Sequence, residues 1–228
     1  MSDATRALAR LLQLASPALP VGAFSYSQGL EWAVEAGTVS DEPSARVWIG
    51  DCLEFNLGRF EAPLLSRLLE AWQGEDAPAV ATWNELYLAG REAAELRAET
   101  VQMGHSMLRL LRELGDFPPQ ILAGLALVHE PCFPAVWSAA AAAWRIPHED
   151  AITAYLWAWL ENQTIAALKV VPLGQSAGQR IVLELGARVP ALAQRALTLG
   201  PEAWSNLAPG FGIACSRHET QYSRLFRS

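Results

Sequence analysis

Apolar side chains recur along this chain at helical spacing, and no stretch sustains the every-second-residue alternation of a half-buried strand. That property restricts the fold to the all-α class. The clearest stretch runs from Val80 to Leu114, which reads as one long helical region. Within it Met103, Met107, Leu110, Leu111 and Leu114 fall at i, i+4, i+7, i+8 and i+11, one stripe of a helix. Arg91/Glu95 and Arg109/Glu113 place opposite charges four residues apart on the other side.

Other helices follow from their start and stop signals. Thr5 to Ala15 is a short helix stopped by Ser16-Pro17, and Pro17 to Gly22 is an apolar loop. Ser25-Tyr26-Ser27-Gln28 has the form of a capping box, which predicts a helix from there to about Ala36. Ser40 or Asp41, with Pro43, opens a helix to Leu57 that continues through Leu64, Leu65, Leu68 and Leu69 to Trp72. Gly74 to Pro78 is a turn. After Pro118-Pro119 comes a Pro-interrupted region, then a helix from Ala135 to Trp144 containing five consecutive alanines. Pro147 starts another, whose Tyr155–Leu160 core is apolar all round and so is expected to be buried within the protein or against a partner. Gln175–Leu185 and Val189–Leu199 complete the set. With no internal repeat and no linker long enough to divide it, the chain is expected to form a single-domain bundle of about eight to ten helices.

Composition closes off several classes of function. At 228 residues and 51% hydrophobic content the chain can build a full core, which excludes disorder. Residues 1–120 carry nine basic and seventeen acidic side chains, and residues 121–228 carry eight and seven. No block of like charge marks a nucleic-acid arm or a polybasic membrane patch. Cys52, Cys132 and Cys215 are far apart and odd in number, which fits a reducing compartment. The uncharged run from Leu11 to Leu30 is interrupted by Pro17, Pro20, Gly22, Ser25, Ser27 and Gln28, and Asp3 spoils a leader's positive start. The expectation is a cytoplasmic protein with no membrane span.

Catalytic signatures are scarce. Gly174–Arg180 lacks the spacing and the Lys-Ser/Thr of a phosphate loop, and Gly174 and Gly178 read instead as a flattened helix face for close backbone approach. His129-x-x-Cys132 and Cys215-x-x-His218 are two pairs at ligand-like spacing that would together make a tetrahedral site, but each alone is weak. There is no nucleophile elbow, and Glu92, Glu95 and Glu99 read as a solvated helix face. No cofactor and no enzyme activity are expected. What remains is interaction chemistry. The tail from Arg217 to Ser228 alternates Arg with aromatic and apolar residues, and it either presents a partner surface or docks on its own body. Polar Glu161–Thr164 interrupts the Trp-rich helix and needs partners if buried. Lys169, seven residues after Asn162 on nearly the same face, is the one lysine among seventeen basic side chains. It serves as a cation in the last helical turn or where a compact ammonium is required.

Several segments together resemble the urease accessory protein UreF family: Leu14–Gly22, Phe24–Glu31, Arg91-Glu92 with Glu95–Glu99, Lys169–Gln175, Gly178-Gln-Arg180 and, most specifically, Ser216–Ser228. One departure is Ala23, where many relatives carry a second glycine. The resemblance implies an all-helical homodimer without a catalytic centre. It would act as an adaptor with a UreG-type GTPase and a UreD/UreH-type scaffold, loading nickel into the urease apoprotein. Carried over position by position, it marks Tyr26, Glu31, Glu99, Lys169 and Arg180 on the body as partner-binding. On a docking tail spanning 217–228 it marks Arg217, His218, Tyr222, Arg224 and Arg227. Two other roles stay open: direct stimulation of the GTPase through Arg180 or Arg224, and a nickel carrier using His129, Cys132, Cys215 and His218.

Overall fold

The computed structural model describes residues 3–115 and 117–228. Met1, Ser2 and Asp116, which the sequence assigns to the helical body, lie outside the described residues. Every regular element among those described is helical: α1 (Asp3–Ala15), α2 (Leu30–Glu35), α3 (Glu42–Asp51), a π segment (Cys52–Glu61) and α4 (Ala62–Gln73). After these come α5 (Ala77–Ala89), α6 (Ala94–Leu114), α7 (Pro119–Ala126), α8 (Phe133–Ala143) and α9 (His148–Val170). The chain closes with α10 (Gln175–Gly186), α11 (Val189–Thr198) and α12 (Pro209–His218). None of the helices is long and apolar enough to cross a membrane.

The long apolar helix α9 is the axis of the bundle, with α1, α4, α10 and α11 packed around it. Ala151, Ile152, Leu156, Leu160 and Ala167 on it are buried completely. Helix α8 fills the gap between α4 and α6. Its run of small side chains, with Ala139, Ala140 and Ala141 fully buried, lets both neighbours approach closely. The Asp41 carboxylate starts α3 by accepting from the Ser44 amide, while Ser44 Oγ accepts from the Asp41 amide. That helix runs without interruption through the π segment into α4, as the apolar pattern requires. The wider π turn was not legible. Its Gly58 meets Arg195 and Leu192 of α11 so closely that a Cβ would crowd both.

On the α3 flank an alternating ladder of charges joins α3 and the π segment to α10 and α11. Glu42 pairs with Arg180 (2.5 Å), Arg46 with Glu184 (2.6 Å), and Glu54 with both Arg195 (2.8 Å) and Arg188 (3.3 Å). Burial works against the Glu54 charge, yet the two guanidinium groups hold its carboxyl below the usual range.

Several expectations are corrected. The region Val80–Leu114 is two helices, broken at Gly90–Ala93. Gly90 sits against the Phe60 ring, where a Cβ would clash, and its carbonyl accepts from Asn206 Nδ2 at 2.9 Å. Beyond the break, α6 is capped by a distant side chain: Glu219 Oε1 accepts from the Ala94 amide at 2.7 Å. Arg91 therefore lies outside α6 and does not pair with Glu95. The capping box at Ser25–Gln28 does not form. Gln28 and Gly29 are left-handed (φ 52° and 76°), and α2 starts only at Leu30. Gly29 is required there, because a Cβ would meet the backbone of Ala214 and Cys215 on α12. Of the two glycines read as a flattened face, Gly178 meets the Leu168 side chain and Gly174 faces open space. Helices α7 and α12 were not anticipated.

Candidate functional site

Two polar clusters lie side by side at the junction of the loop before α2, α6, α9 and the C-terminal tail. The inner one is centred on Glu61, the last residue of the π segment. Its carboxylate takes Arg91 Nη1 at 2.7 Å and the hydroxyls of Tyr87 and Tyr155 at 3.1 and 3.2 Å. Arg91 also stacks on Tyr87, 4.3 Å from the ring centroid. Both partners of the ion pair are almost entirely buried, with side-chain exposures of 4% and 5%. Burial pushes both phenols well above their ordinary range. It also opposes the Arg91 charge, but Tyr87 and Glu61 outweigh it and keep the guanidinium protonated. Glu61, Tyr87 and Arg91 line a cavity of about 110 Å³ that extends past Gln28, Trp159 and Asn162 to Glu99.

The outer cluster holds the tail. After α12 the chain turns at Glu219–Ser223 and then lies extended across the loop Ser25–Gln28 and the N-terminal turn of α2. Glu31 accepts the amides of Leu225 (2.6 Å) and Phe226 (3.0 Å). Arg227 donates its amide to the Ser25 carbonyl at 2.8 Å. The main-chain oxygen of Ser228 takes three donors: the Ser27 amide (2.7 Å), the Gln28 amide (3.0 Å) and Ser27 Oγ (2.7 Å). The two successive amides of Ser27 and Gln28 thus converge on one acceptor. Ser228 Oγ donates to Glu99 Oε2 at 2.6 Å, and Gln28 Nε2 donates to Glu99 Oε1 at 2.7 Å. Trp159 Nε1 in turn donates to Gln28 Oε1 at 2.7 Å. Phe226 is buried with Lys169 Nζ above it, 5.3 Å from the ring centroid.

A second set of charges secures the root of the tail. His218, fully buried at the end of α12, has Nδ1 2.6 Å from Glu95 and Nε2 3.3 Å from Glu31. Arg224 pairs with the other oxygen of Glu95 at 2.5 Å. The reading of Glu95 and Glu99 as a solvated face is thus overturned. Glu95 takes the His218 imidazole and the Arg224 guanidinium, and Glu99 is buried, its pKa pushed up to about 7 chiefly by burial; of the three only Glu92 remains exposed. Tyr26 is buried as well, its phenol pushed up by burial first and by the Glu99 charge second, while a bond to the Arg227 side chain works the other way.

Of the residues marked in the sequence, Tyr26, Glu31, Glu99, Lys169, His218, Arg224 and Arg227 converge on this one region. Arg217 and Tyr222 are exposed on its rim. Arg180 stands apart, on the charge ladder of α10. Asn162, singled out for its position in the apolar helix, donates to the Tyr26 carbonyl at 3.4 Å, so it faces the same loop. Sequence reasoning missed Glu61, Tyr87 and Tyr155, which lie in three separate elements and share no motif. The pairs His129/Cys132 and Cys215/His218 form no metal group. Among the described residues no three His, Cys, Asp or Glu side chains are placed to hold an ion. Cys132 is buried with its thiol pushed up to about 12 by burial, and burial raises Cys215 and Cys52 likewise, so none is poised as a thiolate.

The family model for UreF matches residues 39–186. The urease accessory protein UreF of Azoarcus sp. (strain BH72) is 64% identical over 223 residues, covering 97% of this chain and 95% of the relative. The chain belongs to the UreF family. The urease accessory protein UreF of Dechloromonas aromatica (strain RCB) is 59% identical over 222 residues, 97% of both chains. The match to the bifunctional urease accessory protein UreEF of Bordetella bronchiseptica, 49% over 224 residues, takes up 52% of that longer protein. Family membership carries a role as an accessory protein in urease maturation.

Proposed function

We propose that this chain is a non-enzymatic adaptor in the cytoplasmic, GTP-dependent assembly of the urease nickel centre. In this reading it acts as a homodimer that brings a UreD/UreH-type scaffold and a UreG-type GTPase to the urease apoprotein, with nickel as cargo. The observation that carries it is the near-full-length similarity to urease accessory proteins. The tail supports it physically. Its inner side chains are spent on the body, whereas Arg217, Tyr222 and Leu225 are left facing solvent, with Tyr222 fully exposed. Arginine and tyrosine are the side chains favoured at interface centres.

The test is capture of purified scaffold and GTPase by the full chain carrying Arg217→Ala and Tyr222→Ala together. Neither side chain seats the tail, so loss of capture reads partner contact and not unfolding. A drop in affinity of tenfold or more is expected; unchanged capture would remove the tail from the interface. Reconstitution of urease activity from apoprotein, nickel, GTP and the other accessory proteins, with and without this chain, tests the adaptor role itself.

A second reading, direct stimulation of the GTPase, is favoured by one observation: Arg180 is the most exposed arginine of the charge ladder, at 61%. An arginine finger must leave its own carboxylate to reach a partner's phosphates. Substituting Arg180, and separately Arg224, and measuring GTP hydrolysis within the intact complex separates stimulation from docking.

A further inference from the structure

Glu99 occupies an unusual place. One of its carboxyl oxygens serves the loop through Gln28, the other serves the last residue of the tail, and its inner side lines the cavity that continues to Arg91 and Glu61. The tail covers its outer side: Ser228 is 3% exposed and Glu99 itself 6%. We propose that residues 224–228 form a proton-linked latch, in which the protonation state of Glu99 sets how firmly the end of the tail is seated and so how readily the tail is released. The latch is a property of the chain alone, and it becomes a means of regulation where the tail also meets a partner.

The sign follows from comparing the seated and lifted tails. With the tail seated, Glu99 is almost entirely buried and its pKa stands near 7, burial being the main cause and Glu61 adding to it. The bonds from Ser228 and Gln28 and the charge of Arg91 offset part of that rise. With the tail lifted, water replaces the one hydroxyl donor that Ser228 supplied and solvates the rest of the carboxyl, so its pKa falls back toward the ordinary carboxylate range near 4.3. A carboxyl whose pKa is higher in the seated form favours that form while protonated. Seating is therefore strongest at low pH and weakens as pH rises through about 7, the proton passing to bulk water.

Other ionisable groups face the same place. They are Glu31 on α2, Glu95 on α6, His218 and Cys215 on α12, Tyr26 on the loop, Tyr155 on α9, and Lys169, Arg224 and Arg227 on or against the tail. Any of these could lend a pH dependence of its own, so the experiment must isolate Glu99.

Hydrogen exchange of the Leu225, Phe226 and Arg227 amides in the full chain, read by mass spectrometry and corrected for intrinsic exchange chemistry, reports seating directly. Between pH 5.5 and pH 8 the wild-type chain is expected to lose protection there by about tenfold to thirtyfold. Glu99→Gln, which is neutral at every pH, should remove that slope. Flat protection in the wild type would overturn the latch without reference to any variant. A slope that persists in Glu99→Gln would assign the effect to the His218, Glu31 and Glu95 group and overturn it as well. Neither outcome bears on the adaptor reading, which the capture experiment tests separately.

Discussion

The two polar clusters use the same chemistry in opposite ways. At Glu61 and Arg91 the ion pair is roofed by two tyrosines and the bundle core, and each partner belongs to a segment whose neighbours are buried helix. At Glu31, Glu95 and Glu99 the carboxylates bind a segment that has no regular structure of its own and whose outer side faces solvent. A buried ion pair adds little net stability, because desolvation cancels most of the attraction, but removing one partner leaves a charge with nowhere to go. A carboxylate at the edge of the bundle that collects backbone amides, as Glu31 does, makes the opposite bargain: it can exchange those donors for water at modest cost. The first cluster therefore fixes the bundle, and the second holds something that can leave.

The largest expected effect breaks the first cluster. Arg91→Ala strands the Glu61 carboxylate in the core beside two phenols, which should cost about 3–5 kcal/mol. For a chain of this size that corresponds to a fall in melting temperature of roughly 6–20 °C. A change of under about 2 °C in thermal unfolding would mean that water or rearrangement rescues Glu61, and the contrast between the clusters would collapse. Glu31→Ala acts on the second cluster. It deletes the acceptor of the Leu225 and Phe226 amides and one neighbour of His218. Because the tail can open alone, the loss should appear as local and not global instability. Amide protection at residues 225–226 should fall by about tenfold to a hundredfold while the melting temperature moves little. Equal sensitivity of the α9 core amides would show that the tail is integral to the bundle.

How far each cluster was legible in the sequence follows from the same difference. The tail and its partners were marked as a group because they sit in compact segments, Phe24–Glu31 and Ser216–Ser228, whose residue order is itself distinctive. What the sequence did not give was the manner of seating. Ser25–Gln28 satisfies the capping-box pattern, and only the approach of α12 on Gly29 forces the backbone into the left-handed region. The inner cluster was hidden for a different reason. Glu61, Tyr87, Arg91 and Tyr155 are brought together by the π segment and by the break after α5, neither of which has a periodic signature. The Arg91/Glu95 spacing even suggested a wrong pair, since four residues apart means adjacency only within one unbroken helix. The bundle itself was readable for the complementary reason: α4, α6 and α9 bury broad apolar faces whose spacing is theirs alone.

Arg180 gives the smallest expected effect and the sharpest use of the comparison. Its pair with Glu42 is short, at 2.5 Å; that bond first, and the Glu42 charge after it, raise the arginine's pKa, while the same bond and the Arg180 charge lower the carboxyl's. Yet Arg180 is exposed, so water competes for both partners, and pairs of this kind contribute little to stability. Arg180→Ala should leave the melting temperature within experimental error and leave tail protection unchanged, because the ladder and the tail share no residue. Whatever that substitution does in the assembled complex, to capture or to GTP hydrolysis, then belongs to a surface separate from both clusters. A clear loss of thermal stability would instead make the ladder a structural brace between α3 and α10, and would take Arg180 out of the set of partner contacts.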